Sequence, residues 1–148
     1  MSKVFKVGLI GCGHIAETYF RAHKYFKNFK IIKCADVKEK AAKKCAKIYK
    51  IKAVSVSNLL KDKQVEIILN LTPPKVHYQI AKKSLLNGKH VYSEKPLAIN
   101  LKDGKELLKL SKKKEIIFRK CSRYFFRRRQ SKIERIIRKQ KYRQSKFR

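Results

Sequence analysis

The sequence is poor in acidic residues: 10 Asp and Glu stand against 41 Lys and Arg in 148 residues, a formal net charge of +31. Apolar residues nevertheless make up 43% of the chain, so it differs from the low-hydrophobicity sequences that stay unfolded. The length suits one domain with its own core and excludes two. No apolar run approaches the roughly 18 residues of a bilayer span, and the first residues lack the apolar stretch of a signal peptide. We therefore expect a cytoplasmic protein without membrane partners.

Closely spaced cysteine pairs are also missing. The four cysteines are Cys12, Cys34, Cys45 and Cys121. None forms a Cys-x-x-Cys pair, so the spacing indicates neither a zinc site nor a disulfide framework. We therefore expect isolated buried thiols and no metal site. No internal repeat of about 20–50 residues is visible, which argues against a solenoid.

The end of the chain has a different composition from the rest. Nine of the ten arginines lie after residue 115, and the last glycine is Gly104. Residues 115–148 contain 14 Lys and Arg against 2 Asp and Glu. These changes predict a boundary near residues 115–119. We expect a folded domain over residues 1–118 and an irregular basic C-terminal tail over residues 119–148, either disordered or derived from a frameshift.

Before that boundary, strand patterns alternate with helix patterns. Strands are predicted over Val4–Ile10, Phe29–Ala35, Ala53–Val56, Val65–Leu71, Lys89–Tyr92 and Glu115–Phe118. Helices are predicted over His14–Phe26, Lys38–Tyr49, Val76–Leu86 and Leu101–Leu110, with a helical turn at Leu59-Leu60. The alternation favours an α/β fold with right-handed crossovers: a doubly wound, mostly parallel sheet covered by helices on both faces.

The first strand and first helix are joined by Gly11-x-Gly13-x-x-Ala16, which fits the dinucleotide-binding fingerprint of a Rossmann fold. Gly11 permits the tight turn, Gly13 allows the backbone to approach a pyrophosphate, and the small Ala16 allows close packing of helix on strand. His14 and Ile15 complete the helix start, where free N–H groups and the positive end of the dipole favour phosphate.

Asp36 ends the second strand, 23 residues after Gly13. A carboxylate there accepts hydrogen bonds from the adenosine ribose hydroxyls and repels a 2′-phosphate, which favours NAD. Lys38 and Lys40 lie just beyond and could attract a 2′-phosphate, so NADP stays an alternative. An ordinary surface carboxylate is the other interpretation of Asp36.

Two further loops follow strands at the same edge of the sheet. Asn70-Leu71-Thr72-Pro73-Pro74 leaves the fourth strand, and its prolines hold the chain extended. Ser93-Glu94-Lys95-Pro96 leaves the fifth strand, so Lys95 could reach toward a nicotinamide or its substrate. The alternative for the first loop is a plain strand-to-helix connection, and His77, at the start of the next helix, could have only a capping or surface role. The alternative for Lys95 is a solvated surface lysine.

Three segments, in this order, closely resemble the Gfo/Idh/MocA oxidoreductases, the family of glucose–fructose oxidoreductase and inositol dehydrogenase. They are Val7–Ala16, Asn70–His77 and Gly88–Leu97. The match covers about residues 4–118, the Rossmann part of that family. The resemblance implies a nicotinamide cofactor, NAD or NADP, and hydride exchange with a hydroxyl or carbonyl carbon of a sugar, polyol or similar compound.

The resemblance also implies roles for individual residues. The residues that match the Thr-Pro-x-x-x-His and Glu-Lys-Pro motifs are Thr72, Pro73, His77, Glu94, Lys95 and Pro96. Lys95 would be the catalytic lysine beside nicotinamide and substrate, and Thr72, Pro73 and His77 would shape the cofactor loop.

Family members resemble one another in a second α/β domain, which covers the substrate and often mediates oligomerisation. The sequence contains no counterpart, so we expect a truncated product with its oligomer interface lost and little or no turnover. If Arg127–Arg129 were encoded by CGG triplets, reading one base later would give three glycines in a segment that resembles part of the family. The DNA read in that frame from about codon 119 should then continue as the second domain.

A functional interpretation of the tail competes with the frameshift. Tyr124-Phe125-Phe126 beside Arg127–Arg129 combines stacking surfaces with phosphate-binding charge, as in nucleic-acid-binding proteins. Such charge runs are more often merely solvated. We expect nonspecific, salt-sensitive binding to nucleic acid, and the alternative function is a noncatalytic basic nucleic-acid-binding protein.

Overall fold

A computed structural model describes residues 3–23 and 25–120. The strands are β1 Phe5–Ile10, β2 Phe29–Ala35, β3 Lys52–Ala53, β4 Ile67–Asn70, β5 His90–Ser93 and β6 Phe118–Lys120. The helices are α1 His14–His23, α2 Glu39–Tyr49, α3 Val56–Lys61, α4 Pro74–Leu86 and α5 Leu101–Lys113. The strands form one sheet in the order β3-β2-β1-β4-β5-β6, and every pair is parallel.

Helices cover both faces of this sheet. Side chains of α1 and α2, such as Phe20 and Cys45, pack with inward residues of β1, β2 and β4 in one core cluster. Leu59 and Leu60 of α3 belong to a second cluster, and α4 and α5 contribute Leu85 and Leu107 to a third. All four residues of β4 are buried, as expected for a parallel strand covered on both sides. The predicted doubly wound α/β fold is confirmed.

The third predicted strand was wrong over Val54–Val56. β3 ends at Ala53, and α3 begins at Val56. The Ser55 hydroxyl accepts a 3.1 Å hydrogen bond from the backbone N–H of Asn58, which caps this helix. The β-branched valines favour a strand, but the cap and the burial of Leu59 outweigh that preference.

The sheet extends two residues past the predicted domain boundary, because β6 ends at Lys120. The predicted start of this strand at Glu115 was too early: Glu115 has φ +55° in the turn that ends α5. Most of the predicted tail, with Cys121 and the aromatic–arginine cluster, lies outside the described residues, so its interpretations stay predictions. No helix within the described part of the chain is long and apolar enough to cross a membrane.

Candidate functional site

Four loops meet at the carboxyl edge of the sheet. They follow β1, β2, β4 and β5, and together with the first turns of α1 and α4 they contain the residues that the sequence predicts as a site. β1 pairs with β2 on one side and with β4 on the other. The direction in which successive strands are added to the sheet therefore reverses between β1 and β4. In open α/β sheets, ligands bind at such a switch point.

The two glycines of the first loop have opposite surroundings. Gly11 has φ +101°, and a Cβ there would lie 2.7 Å from the backbone of Leu71, so no larger residue fits. A Cβ on Gly13 would meet no atom within 4 Å. Gly11 therefore allows the turn to pack closely against the loop after β4, while Gly13 leaves open space at the start of α1.

The start of α1 faces this open space. His14 and Ile15 are exposed, while Ala16 is only 2% exposed and its N–H donates to the Gly13 carbonyl at 3.0 Å. The first turn of a helix presents N–H groups that lack intrahelical acceptors, and the helix dipole is positive there. The turn is thus open and electrostatically suited to an anion such as a diphosphate.

Asp36 lies directly beside the glycine turn. Its Oδ2 accepts a 2.8 Å hydrogen bond from the Cys12 N–H, and its Oδ1 accepts a 2.8 Å hydrogen bond from the Lys38 N–H. These bonds fix the carboxylate at the end of β2. Each carboxylate oxygen can accept a further hydrogen bond, so Asp36 can still bind ribose hydroxyls.

A cavity of about 510 Å³ opens next to Asp36. Valine and alanine side chains form much of its wall, together with the charged groups of Glu39 and Lys43. It lies toward β3, which is on the far side of β2 from the glycine turn. The cavity is therefore a neighbour of Asp36, and no residue of the glycine turn lines it.

A buried network holds the loop after β4. The Asn70 side chain is fully buried; its Oδ1 accepts a 2.6 Å hydrogen bond from the Thr72 hydroxyl, and its Nδ2 donates to the His77 carbonyl at 3.1 Å. The ring of His77 contacts two carbonyl oxygens, with Nε2 2.5 Å from that of Thr72 and Nδ1 2.7 Å from that of Pro96. His77 is 1% exposed. It holds the two loops together and does not reach the open space.

Glu94 connects the loop after β5 to α1. Its Oε1 accepts a 2.5 Å hydrogen bond from the Tyr19 hydroxyl, and its Oε2 accepts a 3.2 Å hydrogen bond from the Lys95 N–H. Lys95, Pro96 and Pro73 are exposed at this edge. Glu94 therefore positions the segment, while the Lys95 side chain is free to meet a ligand.

The expectation of isolated thiols was wrong. The sulfur atoms of Cys12, Cys34 and Cys45 all lie within 4.8 Å of one another. Cys12 lies between the two glycines, Cys34 is near the end of β2, and Cys45 is on α2. Because β1 and β2 are adjacent parallel strands, their carboxyl ends meet, and this brings the cysteines together.

The fold and the site together define a dinucleotide-binding Rossmann domain. The family model described as the oxidoreductase family with an NAD-binding Rossmann fold, Gfo/Idh/MocA, matches residues 5–120. The chain belongs to this family, and the resemblance noted from its three motifs is confirmed.

Individual relatives are consistent with this assignment. An uncharacterized oxidoreductase of Schizosaccharomyces pombe is 35% identical over 80 residues, which are 54% of this chain and 21% of that protein. The inositol 2-dehydrogenase/D-chiro-inositol 3-dehydrogenase of Lactiplantibacillus plantarum is 28% identical over 114 residues, 74% of this chain and 33% of that protein. The chain thus spans about a fifth to a third of the length of these curated relatives.

A solved structure shows the same arrangement. Biliverdin reductase from Synechocystis, in complex with biliverdin and NADP+, matches with a TM-score of 0.73 and 26% identity, over 78% of this chain and 37% of that one. Family and fold therefore agree on a domain that binds NAD or NADP.

All the sequence-predicted site residues lie at or directly beneath one edge of the sheet. Sequence reasoning missed Tyr19 and the group of cysteines, and it named Asn70 only as part of a loop, without a role for its side chain. Asn70 had a signal, since it is a polar residue at the end of an apolar strand. Tyr19 had none, because its contact with Glu94 joins residues 75 positions apart.

Proposed function

We propose that residues 3–120 bind a nicotinamide dinucleotide, with NAD preferred over NADP, as the cofactor-binding part of an oxidoreductase. The substrate class is a sugar, a polyol or a related compound with a hydroxyl or carbonyl carbon. The family membership and the inositol dehydrogenase relative support this class. The observation that supports cofactor binding most directly is the open space at Gly13, directly before α1.

The residues of the turn fit the two ends of such a cofactor. Gly13 and the first turn of α1 would hold the diphosphate through backbone N–H groups, and Asp36 would accept hydrogen bonds from the ribose. The Asp36 charge opposes a 2′-phosphate, which supports the preference for NAD.

When bound, a nicotinamide would supply hydride transfer to or from the substrate carbon. Lys95 is the residue that we assign to the accompanying proton: its Nζ would hydrogen-bond the substrate oxygen and give or take the proton there. Its backbone is held through Glu94, and its side chain is exposed at the same edge as Gly13. His77 and Asn70 are positioning residues, since they hold the Thr72 and Pro96 segments without reaching the ligand space.

The test is a fluorescence titration of the full chain with NADH. Gly13→Val places a side chain in the open space, where a Cβ would meet no protein atom within 4 Å, so we expect the fold to be retained while the diphosphate loses its place. We expect at least a tenfold loss of NADH affinity. Gly104→Val is the matched control, because a Cβ there meets only Leu97 at 3.9 Å and Gly104 lies on α5, outside the four loops of the site.

Removal of residues 121–148 completes the test, because this deletion leaves β6 whole. The truncated chain should bind NADH within about twofold of the full chain. Equal NADH affinity of Gly13→Val and Gly104→Val would overturn the proposal. So would binding by the full chain to polynucleotides alone, with a steep salt dependence that disappears with the tail.

A further inference from the structure

The three thiols beside the glycine turn form a compact group that dinucleotide binding does not use. Within the described part of the chain, the group contains Cys12, Cys34 and Cys45 and no histidine or carboxylate ligand. Cys34 and Cys45 are buried, while Cys12 is partly exposed. Cys12 therefore gives the group a route to solvent, and the other two sulfurs are shielded from it.

The sulfur atoms interact with one another and with the backbone: the Cys12 thiol donates to the Ala35 carbonyl oxygen at 3.6 Å, and the Cys34 thiol donates to the Ala42 carbonyl oxygen at 3.5 Å. The hydrogen bond to Cys34, followed by burial, raises the pKa of the Cys12 thiol above its ordinary range. The same hydrogen bond lowers the pKa of Cys34, and burial raises the pKa of Cys45 to about 11. The three sulfurs are therefore close enough to influence one another's charge.

Three mutually close sulfurs have the dimensions of a metal site. A metal–sulfur bond of about 2.3 Å in trigonal geometry separates the sulfurs by roughly 4 Å. The upper limit of 4.8 Å between these sulfurs requires only a small contraction. The neighbouring Asp36 carboxylate, which accepts a 2.8 Å hydrogen bond from the Cys12 N–H, would also stabilise a bound cation.

Ligand type and number select the ion. Thiolates prefer soft cations, which excludes Mg²⁺ and Ca²⁺. Structural zinc sites are almost always four-coordinate, and this group supplies three ligands. Cu(I) is soft and stable with three sulfur ligands, so it matches the group without a fourth donor.

We propose that Cys12, Cys34 and Cys45 form a binding site for a soft, thiol-seeking cation, with Cu(I) as the ion that fits. Binding displaces thiol protons and forms three Cu–S bonds without any change of oxidation state. The sequence spacing alone indicates no metal site; the site is created by the adjacency of β1 and β2 and by α2 packed beside them.

The test is an anaerobic titration of the reduced full chain with Cu(I), in competition with a chromogenic Cu(I) chelator. All variants are made in a Cys121→Ser background, which removes the fourth thiol. We expect one Cu(I) per chain in that background and at least a tenfold weaker uptake after the further change Cys45→Ala. Alanine fits the buried face of α2, and circular dichroism verifies that this variant is folded.

X-ray absorption of the loaded protein provides a measurement that does not depend on any variant. Three sulfur neighbours at roughly 2.3 Å are expected. A copper atom with nitrogen or oxygen neighbours, equal uptake with and without Cys45, or no uptake against the chelator would overturn the proposal. None of these readouts involves NADH, so the metal site and the proposed function are tested separately.

Discussion

The hydroxyl of Tyr19 donates a 2.5 Å hydrogen bond to the carboxylate of Glu94 and so joins the first helix to the segment that contains Lys95. Tyr19 is 5% exposed, and its ring also packs edge-on against Tyr92 at a centroid distance of 6.4 Å. The glycine turn and the Glu-Lys-Pro segment are therefore coupled through a side-chain contact as well as through the sheet.

Tyr19→Phe should remove this coupling and keep the packing. A hydrogen bond to a charged group contributes about 1.5–3 kcal/mol to the free energy of unfolding. In the variant, the half-buried Glu94 carboxylate can replace part of this contribution by hydrogen bonding to water. We expect the free energy of unfolding to fall by about 1–2 kcal/mol in urea titrations, with a few-fold loss of NADH affinity. Tyr25→Phe is the matched control, because Tyr25 is 86% exposed, and its stability should be unchanged. Equal losses in both variants would contradict the role of this contact.

His77 should matter for stability through the two carbonyl oxygens that it faces. His77→Leu keeps the volume approximately but offers no donor to Thr72 or Pro96, and an unpaired buried carbonyl costs roughly 1–3 kcal/mol. His77→Gln retains one amide donor and should lose less. Urea unfolding of the two variants measures the difference. If the His77→Leu variant were as stable as the unchanged protein, the His77 ring would have no part in holding these loops.

The glycine turn was predictable from the sequence because its constraints are local. Gly11 must adopt a positive φ, Gly13 must leave space, and a strand and a helix flank both within a few residues. Asp36 was predictable for a related reason, since it ends the strand that lies beside β1. Each position depends on short-range geometry that a sequence pattern expresses directly.

The other contacts depend on registry between distant elements. Glu94 follows β5 and meets Tyr19 of α1 only through the folding of the chain, and no spacing in the sequence encodes a contact between residues 75 positions apart. The cysteine group needs two strand ends and a helix, so the Cys-x-x-Cys rule, which describes ligands on one local segment, misses it. The helical turn predicted at Leu59-Leu60 lies within α3, but the start of this helix at Val56 was missed because the Ser55 cap competes with the strand preference of the valines.

His90 should make stability depend on pH near neutrality. Its Nδ1 accepts a 3.1 Å hydrogen bond from the Ile117 N–H, and burial lowers the pKa of the ring below its ordinary value. Below about pH 6.5 the unfolded chain binds a proton that the folded chain resists, so stability falls as pH decreases from about 7 to 5. His90→Asn offers an oxygen acceptor that does not titrate, and it should weaken this dependence. The free energy of unfolding, measured at pH 5, 6, 7 and 8 for the unchanged protein and for His90→Asn, tests this. The same pH dependence in both proteins would contradict it.

Asp36 should determine the choice between NADH and NADPH. Asp36→Ser removes the negative charge next to the ribose position and one of the two backbone contacts, to Cys12 or to Lys38. We expect weaker NADH binding, stronger NADPH binding, and at least a tenfold change in the ratio of the two dissociation constants, equivalent to about 1.4 kcal/mol. Glu39→Gln is the control: Glu39 is a nearby exposed carboxylate paired with Lys43 at 2.6 Å, and its removal changes the local charge equally. A similar shift of the ratio in both variants would mean that general electrostatics, and not the contact of Asp36 with the ribose, sets the preference.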